Sequence, residues 1–450
     1  MVLGLSASFA AVPAWAQSAT TAAGTGSATV TYTDNLYNAP ANPAPDGPTK
    51  QSSLYLALTP GVALSHERAR SGYALTYAHS FFRYLTAAEA DSHGDELAAA
   101  ADYRLTPVDD ISFRVLGSRS STATLLMDPT AQGRPQPDTA ATFYTGSATQ
   151  SWSHAFSAEW AATQAASFGI ATVTDSQLPE PWRQTTSGSV GAIYSLPSDT
   201  YTFEWTGSYF RSSAAERGDL RVPKVRYFET GPEVGWAHVI DEQWATKLGG
   251  GIGSRYSPSE DPRLSIAPPT FSAGLEWQLA PYAAALSYSA STDVNLFTNR
   301  VYYTDAASLS ASWSILPRQA VDVSTKHTVS ANRPLISPEA VGASREEATT
   351  YAWTSTAGLT WAPPGLPRFS LTYAHAAQVT TGDSNLGTTS PDFHRNQIAF
   401  SVGWEYPRIQ LDRLARRSTF RPSATQGELR DGDLGDSAPA ARAAENSGMD

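Results

Sequence analysis

The chain has 450 residues, no cysteine, 12 Trp, 20 Tyr, 16 Phe and a formal net charge of −11. Without cysteine there is no disulfide, thiol nucleophile, Cys-ligated metal or lipoprotein acylation site. The acidic balance, with no basic stripe and no aromatic-basic interleaving, excludes nucleic acid as a partner.

Length alone suggests two or three soluble domains, but a large barrel is one sheet closed on itself. Mean hydropathy is −0.29, and beyond the N-terminus no run approaches the roughly 18 apolar residues of a spanning helix. A membrane barrel needs no such run, because half of each strand faces a polar lumen.

Residues 1–16 read as a secretory signal peptide. Val2–Val12 is apolar, and Ala14-Trp15-Ala16 supplies small residues at a cleavage site before Gln17, although the usual basic start is missing. Residues 17–26, rich in Ser, Thr and Gly, read as a flexible segment. The transmembrane barrel is then expected over 27–407, and a disordered periplasmic tail over 408–450, basic at first and then rich in Ala, Asp, Glu, Gly and Ser.

The barrel reading rests on a period of two. Phe271, Ala273, Leu275, Trp277 and Leu279 alternate with Ser272, Gly274, Glu276 and Gln278. The pattern resumes through Tyr282, Ala284, Leu286 and Tyr288, and again through Leu309, Ala311, Trp313 and Ile315. Applied along the chain it predicts about 18 antiparallel strands, with 16 as the alternative. They lie over 27–36, 50–66, 72–85, 95–106, 111–121, 141–154, 159–173, 185–196, 201–212, 225–239, 243–255, 270–280, 282–293, 302–316, 320–331, 349–362, 368–380 and 395–406.

Short connections such as Ala280–Tyr282 alternate with long ones such as Thr122–Thr139 and Asn332–Glu347. This sorting is that of an integral outer-membrane barrel, with short periplasmic turns and long extracellular loops. Thr59-Pro60-Gly61 is read as a bulge inside one bent strand, since the apolar phase Leu54, Leu56, Leu58, Val62, Leu64 runs through it. Leu75-Thr76-Tyr77-Ala78-His79 recurs as Leu371-Thr372-Tyr373-Ala374-His375, an internal echo of one hairpin in another.

Aromatic residues gather near the short turns: Tyr201, Phe203 and Trp205, then Trp277, Tyr282, Trp313, Trp361, Phe369, Trp404 and Tyr406. Trp and Tyr favour the lipid–water boundary, and rings at matched heights form a girdle. The opposite phase is expected to line the lumen with Glu96, Asp102, Arg104, Arg114, Glu204, Arg211, Glu276, Asp322, Lys326 and Glu405, diluted by Ser, Thr, Gly and Ala. Charges mixed in sign suit a neutral or bulky hydrated solute better than a single ion type. The phase near Val225–Val239 is ambiguous, since Glu229 and Glu233 align with Val225 and Tyr227.

No catalytic residue, metal site or cofactor site is expected. The eight histidines lie in no metal-binding spacing, and there is no nucleophile elbow, P-loop or dinucleotide fingerprint. Gly249-Gly250-Gly251-Ile252-Gly253 lies inside a strand pattern and reads as a kink or close packing.

Leu54–Phe82 and Leu97–Leu116, including Ala101-Asp102-Tyr103-Arg104-Leu105-Thr106-Pro107, resemble the hairpins of large porin-like outer-membrane barrels encoded with exopolysaccharide systems, as in myxobacteria. That resemblance implies translocation of a secreted polysaccharide together with a periplasmic polysaccharide-export protein. The residues themselves leave open a general diffusion porin or small-solute channel and, as a weaker reading, an outer-membrane hydrolase or structural barrel. Outer-membrane lipid is the remaining expected partner.

Overall fold

The computed structural model describes residues 19–36, 39, 49–121, 142–174, 182–217, 220–222, 224–257, 269–294, 301–316, 321–334, 349–363, 365–381, 392–405 and 409–410. Eighteen antiparallel strands form the wall. They are β1 (Ala19–Thr33), β2 (Ser53–Arg68), β3 (Ser71–Tyr84), β4 (Ser92–Thr106), β5 (Asp109–Ser121) and β6 (Thr142–Ala155). Next come β7 (Trp160–Thr174), β8 (Arg183–Ser195), β9 (Asp199–Ser212), β10 (Arg226–Val239), β11 (Trp244–Gly251, continued by Ser254–Tyr256) and β12 (Thr270–Leu279). The last six are β13 (Tyr282–Val294), β14 (Val301–Leu316), β15 (Val321–Pro334), β16 (Thr349–Trp361), β17 (Arg368–Thr381) and β18 (Phe393–Glu405).

Each strand pairs with its sequence neighbours, and β1 pairs with β2 on one side and β18 on the other, from Thr25↔Glu405 to Thr33↔Gln397. Among the described residues the sheet is thus a closed barrel, in which strand N–H and C=O groups find partners in the neighbouring strands without water. Short turns join β2 to β3 and β4 to β5 at one rim, and longer connections join β1 to β2 and β5 to β6 at the other.

Alternation gives the wall two faces. Leu54, Leu56, Leu58, Val62 and Leu64 stand exposed on one, while Ser53, Tyr55 and Ala57 between them are buried. Exposed apolar side chains of this kind recur on strand after strand, including Leu75, Val115, Val190, Leu286, Leu309 and Phe400. An apolar exterior around a Ser/Thr-rich interior inverts the pattern of a soluble protein and suits a wall facing acyl chains. Among the described residues, one small cluster of buried apolar side chains lies on the inside near the long-loop rim: Leu36, Tyr55, Tyr84, Ala87 and Ala90, with Phe82 against them.

Three local expectations are corrected. First, the segment 17–26 is not a free leader where it is described: Ala19–Gly26 already belongs to β1, paired from Ala19↔Glu67 to Gly26↔Pro60. Its residues are too small and uniform to show alternation, so periodicity missed them. Second, Pro60 makes no bulge. The β2–β3 register runs from Leu58↔Phe81 to Gly61↔Ala78 without a shift, and the pairing lapses only at Thr59 and Pro60. Proline has no N–H to give, and the strand continues beyond it in the same register. Third, Ile409 and Gln410 pair with Ala22 and Thr21, so the stretch after the last strand begins against the wall. The signal segment, Tyr406 and residues 411–450 lie outside the described residues.

The glycine run in β11 marks a close approach. The strand pauses at Ile252–Gly253, yet Glu233↔Gly251 and Thr230↔Ser254 keep one register across the gap. A Cβ at Gly231 would lie 2.0 Å from the Ile252 carbonyl oxygen and 2.7 Å from Gly253 Cα. Both obstacles are backbone and cannot swing away. Gly231→Ala should therefore destabilise the barrel by about 1–3 kcal/mol, an overpacking cost, read from urea unfolding of the refolded protein. An unchanged midpoint would contradict this packing.

Candidate functional site

The inner wall is the candidate site, and it is built mainly from hydroxyls. Register puts small Ser and Thr side chains opposite one another on inward positions, where they share hydrogen bonds. The pairs include Thr29 with Ser401 at 2.8 Å, Ser112 with Ser151 at 2.6 Å, Ser167 with Ser187 at 2.5 Å and Ser287 with Ser308 at 2.7 Å. Each pair satisfies part of its own polarity and leaves a wettable, uncharged surface.

The expected lumen residues fall on this face with one exception. Glu96, Asp102, Arg104 and Arg114 alternate with the exposed Leu97, Tyr103, Val115 and Phe113. Glu204, Glu276, Asp322, Lys326 and Glu405 have the same inward phase, opposite to Phe203, Leu275, Val329 and Trp404. The fold does not gather them into a ring of one sign. It pairs several with close partners instead: Arg104 with Asp110 at 3.1 Å, Glu276 with Lys247 at 2.7 Å, and Glu204 with the Ser189 hydroxyl at 2.9 Å. Asp322 accepts from the Ser314 hydroxyl.

Arg211 is the exception. It has the phase of the exposed Tyr209, Trp205 and Phe203, and its Nε donates to Gln184 at 2.8 Å. The outward run Tyr201–Trp205 continues unbroken to Arg211, so the inward assignment broke the parity of its own strand.

A second inward group escaped the sequence reading. Arg255 has a fully buried side chain, donates to Glu229 at 3.0 Å through Nε and 2.6 Å through Nη2, and sits 4.6 Å above the Tyr227 ring. Tyr227 stacks on Phe210 at 5.1 Å. Beside them is a recess of about 300 Å³ lined in part by Arg183, Thr185, Ser208, Phe210 and Tyr227. The ambiguous phase around Glu229 and Glu233 was the available signal: Tyr227 and Glu229 both point inward, the aromatic packing under the ion pair.

On the outer wall, rings meet in pairs near the short turns. Trp244 lies 6.2 Å from Trp277, Tyr282 5.8 Å from Trp313, and Trp361 5.3 Å from Phe369. Tyr201 stacks on Tyr194 at 6.3 Å, and Tyr194 on Trp160 at 4.6 Å. Trp404 faces Gly26 across the β1–β18 seam. Trp205 departs from the girdle: it lies midway along β9, where its indole N–H donates to Thr230 at 2.8 Å. Sequence reasoning missed Trp160, Tyr194 and Trp244 as members.

All eight histidines lie at outward positions, opposite in phase to the hydroxyl pairs. The repeated Leu-Thr-Tyr-Ala-His segments explain themselves here. Tyr77 and His79 both bond Asp95, at 2.8 and 2.7 Å. Tyr373 and His375 likewise both bond Asn396, at 2.8 and 2.9 Å. Among the described residues no group of three or more His, Asp or Glu could hold a metal ion.

No family model and no curated protein matches the chain. Solved structures do. The siderophore receptor PirA from Pseudomonas aeruginosa is 9% identical, with 85% of this chain and 80% of that chain covered and a TM-score of 0.45. Pseudomonas aeruginosa OpdQ is 10% identical over 86% of this chain and 98% of its own, at 0.42. OccAB3 from Acinetobacter baumannii is 8% identical over 86% and 99%, at 0.43. At these identities and scores the likeness goes no further than the barrel. The closed wall, its apolar exterior and its sided connections are those of an integral outer-membrane protein.

Removing the Arg255 counter-ion should expose how the inner cluster is held. Glu229→Ala leaves a buried guanidinium uncompensated and should cost about 3–5 kcal/mol. Equilibrium urea unfolding in detergent checks this, and a loss well under 1 kcal/mol would show that the ion pair does not matter to the wall.

Proposed function

We propose that this protein is a passive channel for small hydrophilic solutes, with little preference for ion sign. The observation that carries this reading is the hydroxyl-paired inner wall, on which charges occur as opposed neighbours such as Arg104–Asp110 and Lys247–Glu276. A closed sheet of 18 strands leaves an aqueous bore. A wall of shared hydroxyls can exchange hydrogen bonds with a passing polar solute, and neutralised pairs give no ring that would select a cation or an anion. No covalent step is assigned to any residue.

Export of a secreted polysaccharide with a periplasmic export protein draws its support from the resemblance of Leu54–Phe82 and Leu97–Leu116 alone. The same hydroxyl surface would accommodate a sugar polymer. The diffusion reading is preferred because it needs no partner and no gating device.

Reconstitution into planar bilayers tests it. Steady open conductance is expected without any added protein, with a reversal potential close to zero in a salt gradient and uptake of neutral sugars into liposomes. Lys247→Glu, which replaces one opposed pair with two carboxylates, should move the reversal potential toward cation preference. A bore that stays shut until a periplasmic protein is added would overturn the diffusion reading in favour of export.

A further inference from the structure

The outer wall is not equally charged at its two rims. Among the described strand residues, the long-loop rim presents Arg83, Arg119, Arg211 and Arg226 outward. Against these stand Asp95, held by Tyr77, His79 and Arg119, and Asp305, which accepts from the Tyr288 hydroxyl at 2.8 Å. Asp34, just past β1, is taken up by Asn396 at 2.7 Å. The short-turn rim presents Arg68 outward, against Asp109 and Asp199. Those two acids bond His154 at 2.7 Å and His238 at 2.9 Å. The long-loop rim is therefore the cationic one, in a chain whose net charge is −11.

The two belts are separated by the thickness of a bilayer core. On β5 the outward residues between Asp109 and Arg119 are Ile111, Phe113, Val115 and Gly117, all apolar. Ten residues of strand span about 33 Å, or about 25 Å along the membrane normal at a tilt near 40°, the height of a lipid-facing apolar band. Arg119 and Arg211 thus stand at headgroup level on the extracellular side.

Arg211 and Arg226 are direct cross-strand partners. Like charges opposite each other on one face repel and destabilise a sheet. Among the described residues neither has a carboxylate within ion-pair distance. Arg211 is held in place by neutral groups: Gln184 accepts from its Nε and Nη2 at 2.8 and 2.5 Å, and its guanidinium carbon lies 5.0 Å from the centre of the exposed Trp182 ring. One guanidinium held over an aromatic ring, with a second, exposed arginine directly opposite it on the next strand, at the boundary between acyl chains and headgroups, is suited to a phosphate, which guanidinium binds through paired N–H donors.

We propose that Arg211 and Arg226 bind the phosphate of a phosphorylated lipid headgroup in the outer leaflet, with Trp182 and Gln184 positioning Arg211. The site depends on the orientation of the barrel and not on what passes through the bore, so its failure would leave the channel reading untouched.

The test uses the full chain folded in nanodiscs of neutral phosphatidylcholine doped with diphosphorylated lipid A or with its dephosphorylated form. Retention of the lipid is measured by native mass spectrometry. Heat-modifiable migration confirms that each variant is folded. Wild type should retain the phosphorylated form at least about tenfold better. The double variant R211Q/R226Q should lose that preference, while R68Q, on the opposite rim, keeps it. Equal retention of both lipid forms by wild type would overturn the proposal, as would an undiminished preference in R211Q/R226Q. A change in oligomeric state of the double variant without loss of lipid preference would also overturn it, assigning this face to a second copy of the chain.

Discussion

The structure depends on closing the sheet. Within acyl chains an unpaired peptide group has no water to turn to, so a strand is tolerable there only if both of its edges are paired. The β1–β18 seam meets that requirement, from Thr25↔Glu405 to Thr33↔Gln397. Once the seam is closed, alternation decides everything else: each residue faces either lipid or the bore, and the two faces can be given different chemistry.

The two faces solve different problems. The inner face is polar and close to neutral, with hydroxyls that share hydrogen bonds across strands and with charges set beside their opposites. The outer face must lose water along its middle and regain polar contact at both ends. Aromatic rings and histidine–acid pairs mark those ends. A Tyr-x-His on one strand with Asp95 or Asn396 on the next occurs twice near the long-loop rim. A Trp-x-His with Asp199 or Asp109 occurs twice near the short-turn rim.

Much of this was legible in the sequence because a period of two is strong when one face is apolar over a whole strand. The three strands over Thr270–Ile315 show it plainly, and the same pattern along the chain anticipated all 18 strands. It fails where both faces are small, as in Ala19–Gly26, which paired all along yet looked like a linker. It fails again where an aromatic points inward, as Phe210 and Tyr227 do beneath Arg255. Phase alone cannot tell an inward ring packed under a buried ion pair from an outward ring in lipid. Arg211 is a different case: the period of two places it outward with Tyr209, and its charge alone suggested the lumen, although a guanidinium beside Trp182 and Gln184 has polar company on the outer rim.

The chain has no cysteine of its own, so single cysteines can report each face directly. Ser287→Cys and Ser308→Cys should react with a charged, membrane-impermeant maleimide in reconstituted vesicles. Leu286→Cys and Leu309→Cys, one residue away on the same two strands, should react only with a lipid-soluble reagent. Equal labelling of neighbouring positions by the charged reagent would contradict a wall with one wet and one lipid-facing side.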